Sequence, residues 1–431
     1  MTGVNGAPPG VSFGEAFRVW FKIGCLGFGG PAGQIALMHR ILVDEKKWID
    51  EPRFLHALNF CMLLPGPEAQ KLATYVGWLL HGTRGGLTAG ILFVLPGALV
   101  MLAISLLYVL GQGIPAVDGA LFGIKAAVLV IVVEALLRIG RRALKTRLLY
   151  TLAAFAFIGI FFLDLPFPLI VVIAALIGYF TTRGTGVASP PASGQWRRAA
   201  LTSLVGLVLW WVPVALAALT LGAQHVMVDI GLFFSKLATV SFGGAYALLA
   251  YMAQQAVENY GWMSAPEMVD GLGFAETLPG PLIKVTQFVG FLGAWRNPEP
   301  FSPVTAAVLG SALTTWVTFV PPMLLIFAGA PFVEQLRANQ RLSGALAAIT
   351  AAVVGVVLNL TVWFVLHVLF ATVVEQRAGP LRWYAFDPTT IDTKVGILAA
   401  IAAILAFRFH RGLVELVLVM ATLGIAVRLL S

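Results

Sequence analysis

Two glycine–proline clusters interrupt apolar stretches in the first part of this sequence, and each could bind an anion through the backbone alone. The first cluster is Phe28-Gly29-Gly30-Pro31 and the second is Leu64-Pro65-Gly66-Pro67. Proline is favoured in the first turn of a helix, so each cluster predicts that one helix ends and another begins. A helix N-terminus offers free N–H groups and the positive end of the helix dipole, which together attract anions. The alternative is that both clusters are kinks that allow close helix packing.

Both clusters occur again further along the chain, as Phe242-Gly243-Gly244 and Leu278-Pro279-Gly280-Pro281. The spacing between the copies is the same for both, and we call it the first offset: it carries Gly66 to Gly280. Recurrence at one spacing favours a functional role, although Ala245 replaces the first proline in the second copy. We predict that the glycines contact a substrate and that the prolines shape the breaks. The predicted substrate-contacting glycines are Gly29, Gly30, Gly66, Gly243, Gly244 and Gly280. The predicted structural prolines are Pro31, Pro65, Pro67, Pro279 and Pro281.

Charged and amide side chains near the breaks are candidates for binding a substrate and for carrying a proton. A charge within an apolar helix is costly and therefore indicates function. The alternative for Lys22 and Lys236, which each lie six residues before a Phe-Gly-Gly, is a lysine that reaches the membrane surface. The predicted substrate-binding side chains are Lys22, Lys236, Gln70, Lys71 and Lys284. The predicted proton-coupling carboxylates are Glu15, Asp229, Glu68, Glu276 and Glu134.

The composition indicates a membrane protein. Hydrophobic residues make up 59% of the chain and charged residues 11%, with a mean hydropathy of +0.90, whereas about a quarter of a soluble domain is charged. Apolar runs such as Ala89–Leu110 and Leu346–Phe370 are long enough to cross a bilayer as helices. We therefore predict an all-α polytopic membrane protein. The net charge of +8 is explained by basic cytoplasmic loops rather than by nucleic-acid binding.

The chain contains an internal repeat. The first offset also aligns Trp48 with Trp262, for which we predict a structural role as anchors at the membrane interface. Beyond a polar insertion the spacing grows to a second offset, which aligns Pro96 with Pro321. We divide the chain into a first repeat at residues 1–181, a linker with one connecting transmembrane helix at 182–225, and a second repeat at 226–431.

The connecting helix predicts that the second repeat is inserted the other way up. Five basic residues lie in the segment 138–147, whereas the matching segment 372–393 has a balanced charge. The positive-inside rule therefore places the N-terminus in the cytoplasm and the C-terminus outside it. Inverted repeats place a substrate site near the bilayer midplane, between discontinuous or re-entrant helices of both halves.

Other classes of function have weaker support in the sequence. The six histidines are scattered without metal-ligand spacing, and Cys25 and Cys61 lie in apolar segments, so we predict neither a metal site nor a cofactor. A membrane-embedded lipid-phosphate enzyme would need a nucleophile or base set that the sequence does not display. A Gly-Lys pair is absent from the sequence, which disfavours an ATP-driven pump. A channel differs from a carrier in giving uncoupled, downhill flux.

The Phe-Gly-Gly-Pro segment, the Trp48-x3-Pro52 spacing, the Leu-Pro-Gly-Pro motif and the duplicated layout resemble the chromate ion transporter family in its long two-domain form. The resemblance covers nearly the whole chain. It implies a bacterial inner-membrane carrier that exports chromate, confers chromate resistance and is driven by the proton motive force. Sulfate has the same shape and charge and is the alternative substrate or competitor. A homodimer is a further expectation. Val285 stands where the first repeat has Lys71, so we do not expect the two halves to contribute equally to substrate binding.

The inverted arrangement can be tested with tags at the two ends of the chain. A C-terminal tag on the protein in intact cells with a permeabilised outer membrane should react with a membrane-impermeant reagent. An N-terminal tag should react only after the inner membrane is broken. Labelling of the C-terminal tag only from the cytoplasmic side would contradict the predicted topology.

Overall fold

The computed structural model describes residues 10–111, 113–182, 195–241, 245–330 and 340–430, and these residues are predominantly helical. The predicted all-α polytopic fold class is confirmed. Within the described residues, five helices are long and apolar enough to cross a membrane. These candidate spans are Glu68–Leu110, Pro115–Ala143, Ala199–Leu221, Pro303–Gly329 and Gln340–Leu369.

The first series of helices runs from α1 to α7, with a π-helical turn at Arg40–Glu45 directly after α2. Side chains that accept a hydrogen bond from the first helical turn begin several of them, including Ser12 for α1, Asp50 for α3 and Thr146 for α6. The bounds are α1 Phe13–Leu26, α2 Gly30–His39, α3 Glu51–Met62, α4 Glu68–Leu110, α5 Pro115–Ala143, α6 Arg147–Leu163 and α7 Phe167–Thr181.

The second series follows the connecting helix α8, Gln195–Leu221. It has a π-helical turn at Gln255–Asn259 after α10 and a 3₁₀ turn at Leu282–Lys284 before α12. The bounds are α9 Val226–Thr239, α10 Ala245–Gln254, α11 Ala265–Thr277, α12 Val285–Arg296, α13 Pro303–Gly329, α14 Gln340–Leu369, β1 Val373–Ala378, β2 Leu381–Phe386, α15 Thr393–Ala403 and α16 Leu413–Leu429.

The second series repeats the first in element order. The first offset carries the start of α3, Glu51, to the start of α11, Ala265, and the second offset carries Pro115 of α5 to Gln340 of α14. The helices therefore follow both offsets of the sequence repeat. Helices α15 and α16 match α6 and α7 at a common, still larger spacing, because the β1–β2 hairpin is inserted before them.

The long helix α4 contains a reversal of the chain. His81 and Gly82 leave the helical conformation, and Gly82 has φ +61° and ψ −152°, a region that is nearly exclusive to glycine. A Cβ atom on Gly90 would lie 2.5 Å from Thr74 Oγ1, whereas a straight helix would separate these positions by about 24 Å. The first arm, residues 68–80, is therefore too short to cross a bilayer alone, which is the length expected of a re-entrant arm.

The chain folds into two compact units that do not coincide with the sequence repeats. The first unit contains Met1–Ala103, Arg183–Ala245 and Leu278–Ser343, and the second contains Ile104–Thr182, Tyr246–Thr277 and Gly344–Ser431. Each unit therefore takes segments from both repeats. The division at residues 181 and 226 stays a prediction about repeat boundaries.

Helix α5 packs against α16 in the second unit through small residues. A Cβ atom on Gly123 would lie 1.8 Å from the carbonyl oxygen of Met420, and one on Gly424 would lie 2.2 Å from that of Gly119. Close backbone approach of this kind drives helix association in membranes, where burial of apolar surface against lipid gives little.

The β-hairpin between α14 and α15 was not predicted from the sequence. Val373 pairs with Phe386 and Ala378 with Leu381, across a turn in which Gly379 has φ +60°. Glycine at the first central position is the signature of a type II′ hairpin turn. The Gly379-Pro380 pair was the sequence signal for such a turn.

One buried arginine attaches this hairpin to the rest of the second unit. The Arg382 side chain is 2% exposed, and its guanidinium donates to the carbonyl oxygen of Ile160 at 2.7 Å. Its Nη1 lies 2.8 Å from Asp164 Oδ1 and 3.8 Å from a carboxylate oxygen of both Glu258 and Glu375. A buried cation surrounded by carboxylates and a carbonyl is well compensated.

The Arg382→Ala variant should be less stable than the wild type, because it removes a buried cation and its charged hydrogen bonds to partly exposed carboxylates, at a cost of about 1.5–3 kcal/mol. Arg377→Ala is the matched control: Arg377 also contacts Asp164, at 2.7 Å, but its side chain is 58% exposed. Thermal unfolding in detergent, followed by fluorescence-detected size exclusion, should show a large drop in Tm only for Arg382→Ala. Equal melting of the two variants would contradict this assignment.

Candidate functional site

A cavity in the first unit is lined by residues from all four segments that contain the predicted helix breaks. We number the breaks in chain order, from the first at Phe28–Pro31 to the fourth at Leu278–Pro281. The third, Phe242-Gly243-Gly244, lies outside the described residues, and Ser241 is the described residue directly before it. The lining residues are Pro31, Gln34, Gly66, Pro67, Glu68, Ala69, Ser241, Pro281, Leu282 and Ile283.

Two matched hydrogen bonds join the breaks of one repeat to those of the other. The Gly280 N–H donates to the carbonyl oxygen of Gly27 at 2.9 Å, and the Gly66 N–H donates to that of Ser241 at 2.9 Å. The first offset relates the two donors to each other and the two acceptors to each other, so the second bond is the repeat-related copy of the first. These two glycine N–H groups are therefore engaged by protein and are not the free anion donors that the sequence predicted.

The second break of each repeat requires glycine. Gly66 has φ +104° and Gly280 has φ +91°, in the left-handed region. A Cβ atom on Gly66 would lie 2.4 Å from Pro322 Cγ, and one on Gly280 would lie 3.5 Å from Gly97 Cα. The second offset carries Gly97 to Pro322, so these contacts follow the repeat as well.

The Gln34 side chain forms hydrogen bonds to the first break, near Gly27, and to the fourth break, at Gly280. Its buried side chain donates from Nε2 to the carbonyl oxygens of Gly27 at 3.1 Å and Gly280 at 2.7 Å. The preceding glycines, Gly29 and Gly30, have φ +82° and +67°, and helix α2 starts at Gly30 with Pro31 in its first turn. The sequence reasoning missed Gln34, although a single amide within the short apolar helix α2 was a signal for it.

Two buried lysines occupy matching places beside the cavity. Lys71 and Lys284 are each 1% exposed and follow lining residues closely in the sequence. Lys71 Nζ donates to the carbonyl oxygen of Leu64, and Lys284 Nζ donates to that of Leu278 at 2.9 Å. Leu64 and Leu278 open the two Leu-Pro-Gly-Pro motifs. The replacement of Lys71 by valine in the second repeat is thus compensated one position earlier, by Lys284.

The predicted amide Gln70 is buried and donates from Nε2 to the carbonyl oxygen of Phe319 at 3.0 Å. This bond holds the start of α4 against α13, where the helix contains two prolines, Pro321 and Pro322. Gln70 is therefore not a lining residue itself, but its hydrogen bond stabilises the position of its lining neighbours Glu68 and Ala69.

Other predicted residues lie away from the cavity lining. Lys22 and Lys236 are exposed on α1 and α9. Glu15 forms an ion pair with Lys46 at 2.7 Å, and Asp229 is half-buried in the first turn of α9. Their roles stay predictions.

The remaining predicted carboxylates are dispersed. Glu68 is half-buried and lines the cavity. Glu134 lies 3.4 Å from Arg138 on the same helix, and Glu276 is buried on α11 in the second unit. Glu68 is thus the predicted proton-coupling residue that the structure places at the cavity.

The two predicted anchors, Trp48 and Trp262, are 6% and 3% exposed. Both rings therefore pack against protein and offer little surface to a membrane interface. Their backbone N–H groups donate to the carbonyl oxygens of Leu42 and Ala256, which the first offset also relates, at 2.8 Å each.

The electrostatics of the cavity favour a small anion. The starts of α2, of α4 and of the 3₁₀ turn before α12 contribute Pro31, Pro67 and Pro281 to its wall. Each helix start carries the positive end of a helix dipole. Two buried ammonium groups stand next to these helix starts, against one half-buried carboxylate. Small anions bind such sites through dipoles and cations without a metal.

Broken helices around a cavity, within an apolar helical chain, define the class as a polytopic membrane protein of the transporter type. The model of the family described as "Chromate transporter" matches residues 14–179 and 228–427. The chain belongs to the chromate transporter family.

Three relatives show the extent of the similarity. A chromate transport protein of Pseudomonas aeruginosa is 33% identical over 359 residues, which cover 81% of this chain and 80% of the relative. A chromate transport protein of Cupriavidus metallidurans is 25% identical over 351 residues, 81% of this chain and 82% of the relative. The uncharacterized transporter YwrB of Bacillus subtilis is 31% identical over 164 residues, 37% of this chain and 82% of the relative. No solved structure is significantly similar to the chain.

Gly66→Ala should abolish transport, since its Cβ would meet Pro322 and the residue would hold a strained positive φ, at a cost of about 1–3 kcal/mol. Gly396→Ala on α15 is the matched control, because open space surrounds that position. The measurement is substrate uptake at equal amounts of membrane-inserted protein. Wild-type uptake by Gly66→Ala would contradict a tight helix break at this glycine.

Proposed function

We propose that this protein is a secondary active transporter that exports chromate across the bacterial inner membrane, coupled to the proton motive force, and so confers chromate resistance. The observation that carries the proposal is the cavity at which breaks from both repeats meet beside Lys71 and Lys284. Family membership and relatives named as chromate transport proteins support chromate as the substrate.

The chemistry of the cavity suits a tetrahedral dianion. Chromate presents four oxygens that accept hydrogen bonds, and helix starts with two nearby ammonium groups supply donors and positive charge. Sulfate has the same shape and charge, and we propose it as a competitor. The lysines now donate to backbone carbonyls, and a substrate oxygen would compete for the same ammonium protons.

Proton coupling requires a carboxylate whose charge changes during the cycle. Ionised Glu68 in the cavity wall would repel an anion, and protonation would remove that repulsion. This makes Glu68 the coupling carboxylate of the cavity. The proposed topology has a cytoplasmic N-terminus and an extracytoplasmic C-terminus, and a homodimer is the proposed assembly.

The deciding experiment is uptake of labelled chromate into everted inner-membrane vesicles, with and without a protonophore and with excess sulfate. Energised uptake that the protonophore abolishes supports export driven by the proton motive force in cells. Uptake of sulfate but not chromate would reassign the substrate. Absence of flux for either anion would overturn the transport proposal.

Lys71→Met and Lys284→Met should each lower the initial rate of uptake. Loss of a charged hydrogen-bond donor costs about 1.5–3 kcal/mol, which corresponds to roughly a ten- to hundred-fold loss. Lys394→Met, at an exposed lysine on α15, is the control and should transport normally. Full activity of both buried-lysine variants would remove these residues from the substrate site.

A further inference from the structure

We propose that Asp270, together with Lys125 and Tyr108, forms a second proton-binding site, located in the second compact unit and outside the cavity described above. The proposal rests on the proposed function in one respect: the proton bound here is a proton that drives transport. None of these three residues was predicted from the sequence.

Asp270 is a buried carboxylate held by two side chains from other helices. It is 1% exposed, midway along α11. The Tyr108 hydroxyl, near the end of α4, donates to its Oδ2 at 3.0 Å, and Lys125 Nζ, on α5, lies 3.5 Å from the same oxygen. Within the described residues, Asp270 Oδ1 has no hydrogen-bond partner. One carboxylate oxygen is therefore paired and the other is open to a proton.

Close helix packing brings these groups together. A Cβ atom on Gly273 would lie 2.3 Å from Ile124 Cγ2, so glycine lets α11 approach α5 directly beside Lys125. Phe274, on the same face of α11, packs edge-on against the Tyr108 ring, with centroids 5.8 Å apart. Asp270, Gly273 and Phe274 follow the spacing of one helix face. Three neighbouring positions of α11 thus build one site.

The pair lies within a membrane-spanning helix bundle. Lys125 is ten residues, about 15 Å, from the start of α5, and α5 is a candidate span. A buried ion pair contributes little net stability, because desolvation offsets the attraction between the charges. Ionisable groups in such positions mark proton and ion pathways.

The surrounding charges leave Lys125 as the main compensation for Asp270. Glu267, one turn earlier on α11, also acts on Asp270 as a like charge and accepts hydrogen bonds from Ser264. The charged residues of α16, which also packs on α11, are Glu415 and Arg428, near its two ends.

Protonation of Asp270 would change how the three helices are held. The neutral carboxyl loses its attraction for Lys125, whose side chain is 25% exposed and can reorient, whereas Asp270 itself stays buried. The proton goes onto Oδ1, and the excess positive charge stays on the lysine. Proton binding at this site therefore favours a different packing of α4, α5 and α11, which is the property a coupling site needs.

Infrared difference spectroscopy of the purified, lipid-reconstituted protein tests the site without depending on any substrate. Acidification of the wild type should produce several carbonyl bands of protonated carboxyl groups, and Asp270→Asn should lack one of them, the band of a buried carboxyl group. Glu415→Gln, which removes an exposed carboxylate that pairs with Arg411 on the surface, is the control and should keep it. An Asp270→Asn difference spectrum that keeps every carbonyl band of the wild type overturns the proposal.

Lys125→Gln gives a second measurement if Asp270→Asn does not fold. Without the cation the ionised carboxylate is less stable, so the band should appear at higher pH than in the wild type. Tyr108→Phe should shift it in the same direction. Unchanged titration in both variants overturns the site.

Transport measurements distinguish a role of Asp270 in proton coupling from a purely structural role. Asp270→Asn vesicles should lose accumulation of chromate driven by a pH gradient by at least ten-fold, while exchange of labelled for unlabelled chromate stays within two-fold of the wild type. Equal loss of accumulation and exchange would overturn the coupling role. Wild-type vesicles without chromate flux would refute the proposed function, whereas the infrared band would still decide whether Asp270 binds a proton.

Discussion

Backbone N–H and C=O groups at a helix break inside a membrane protein must be satisfied by protein, because hydrocarbon offers no hydrogen-bond partner. In this chain the Gly280 N–H is satisfied by the Gly27 carbonyl, and the Gly66 N–H by the Ser241 carbonyl. Each repeat thus supplies the acceptor that the other repeat lacks. The cavity lies at this place because the polar backbone of the breaks is gathered around these two bonds.

This mutual dependence explains why the compact units mix the two repeats. The breaks of residues 27–34 and 64–68 are buried against residues 241 and 278–283, so the starts of both repeats belong to the first unit. The last helices of both repeats form the second unit together with the segment Tyr246–Thr277, and small residues on α5 and α16 allow close contact there. The sequence repeat follows the duplication of the chain, whereas the compact units follow the packing of helices against one another.

The sequence predicted the features that depend on local chemistry. The Gly66-Pro67 pair predicted a helix start, because proline is favoured in the first turn, and the first offset predicted which segments would match. Contacts between distant segments could not be predicted from local sequence. Neither the contact of Gln34 with Gly280 nor that of Ser241 with Gly66 has a signal in the sequence around these residues. Lys284 illustrates the limit: alignment placed it opposite Gln70, yet its ammonium occupies the place that Lys71 has in the first repeat.

Asp270 and Lys125 escaped prediction because each appears as a single charge, and their proximity arises from packing between distant segments. The repeat gives them a further meaning. At the same two offsets Asp270 corresponds to His56 and Lys125 to Thr350, so the charged pair is present once, whereas the hydrogen bonds around the cavity are present twice. In the proposed transport cycle the cavity faces each side of the membrane in turn, and near-symmetric walls suit that exchange. The proposed coupling to a proton gradient requires a titrating group whose access differs between the two states, and a group present in one repeat alone would supply that difference.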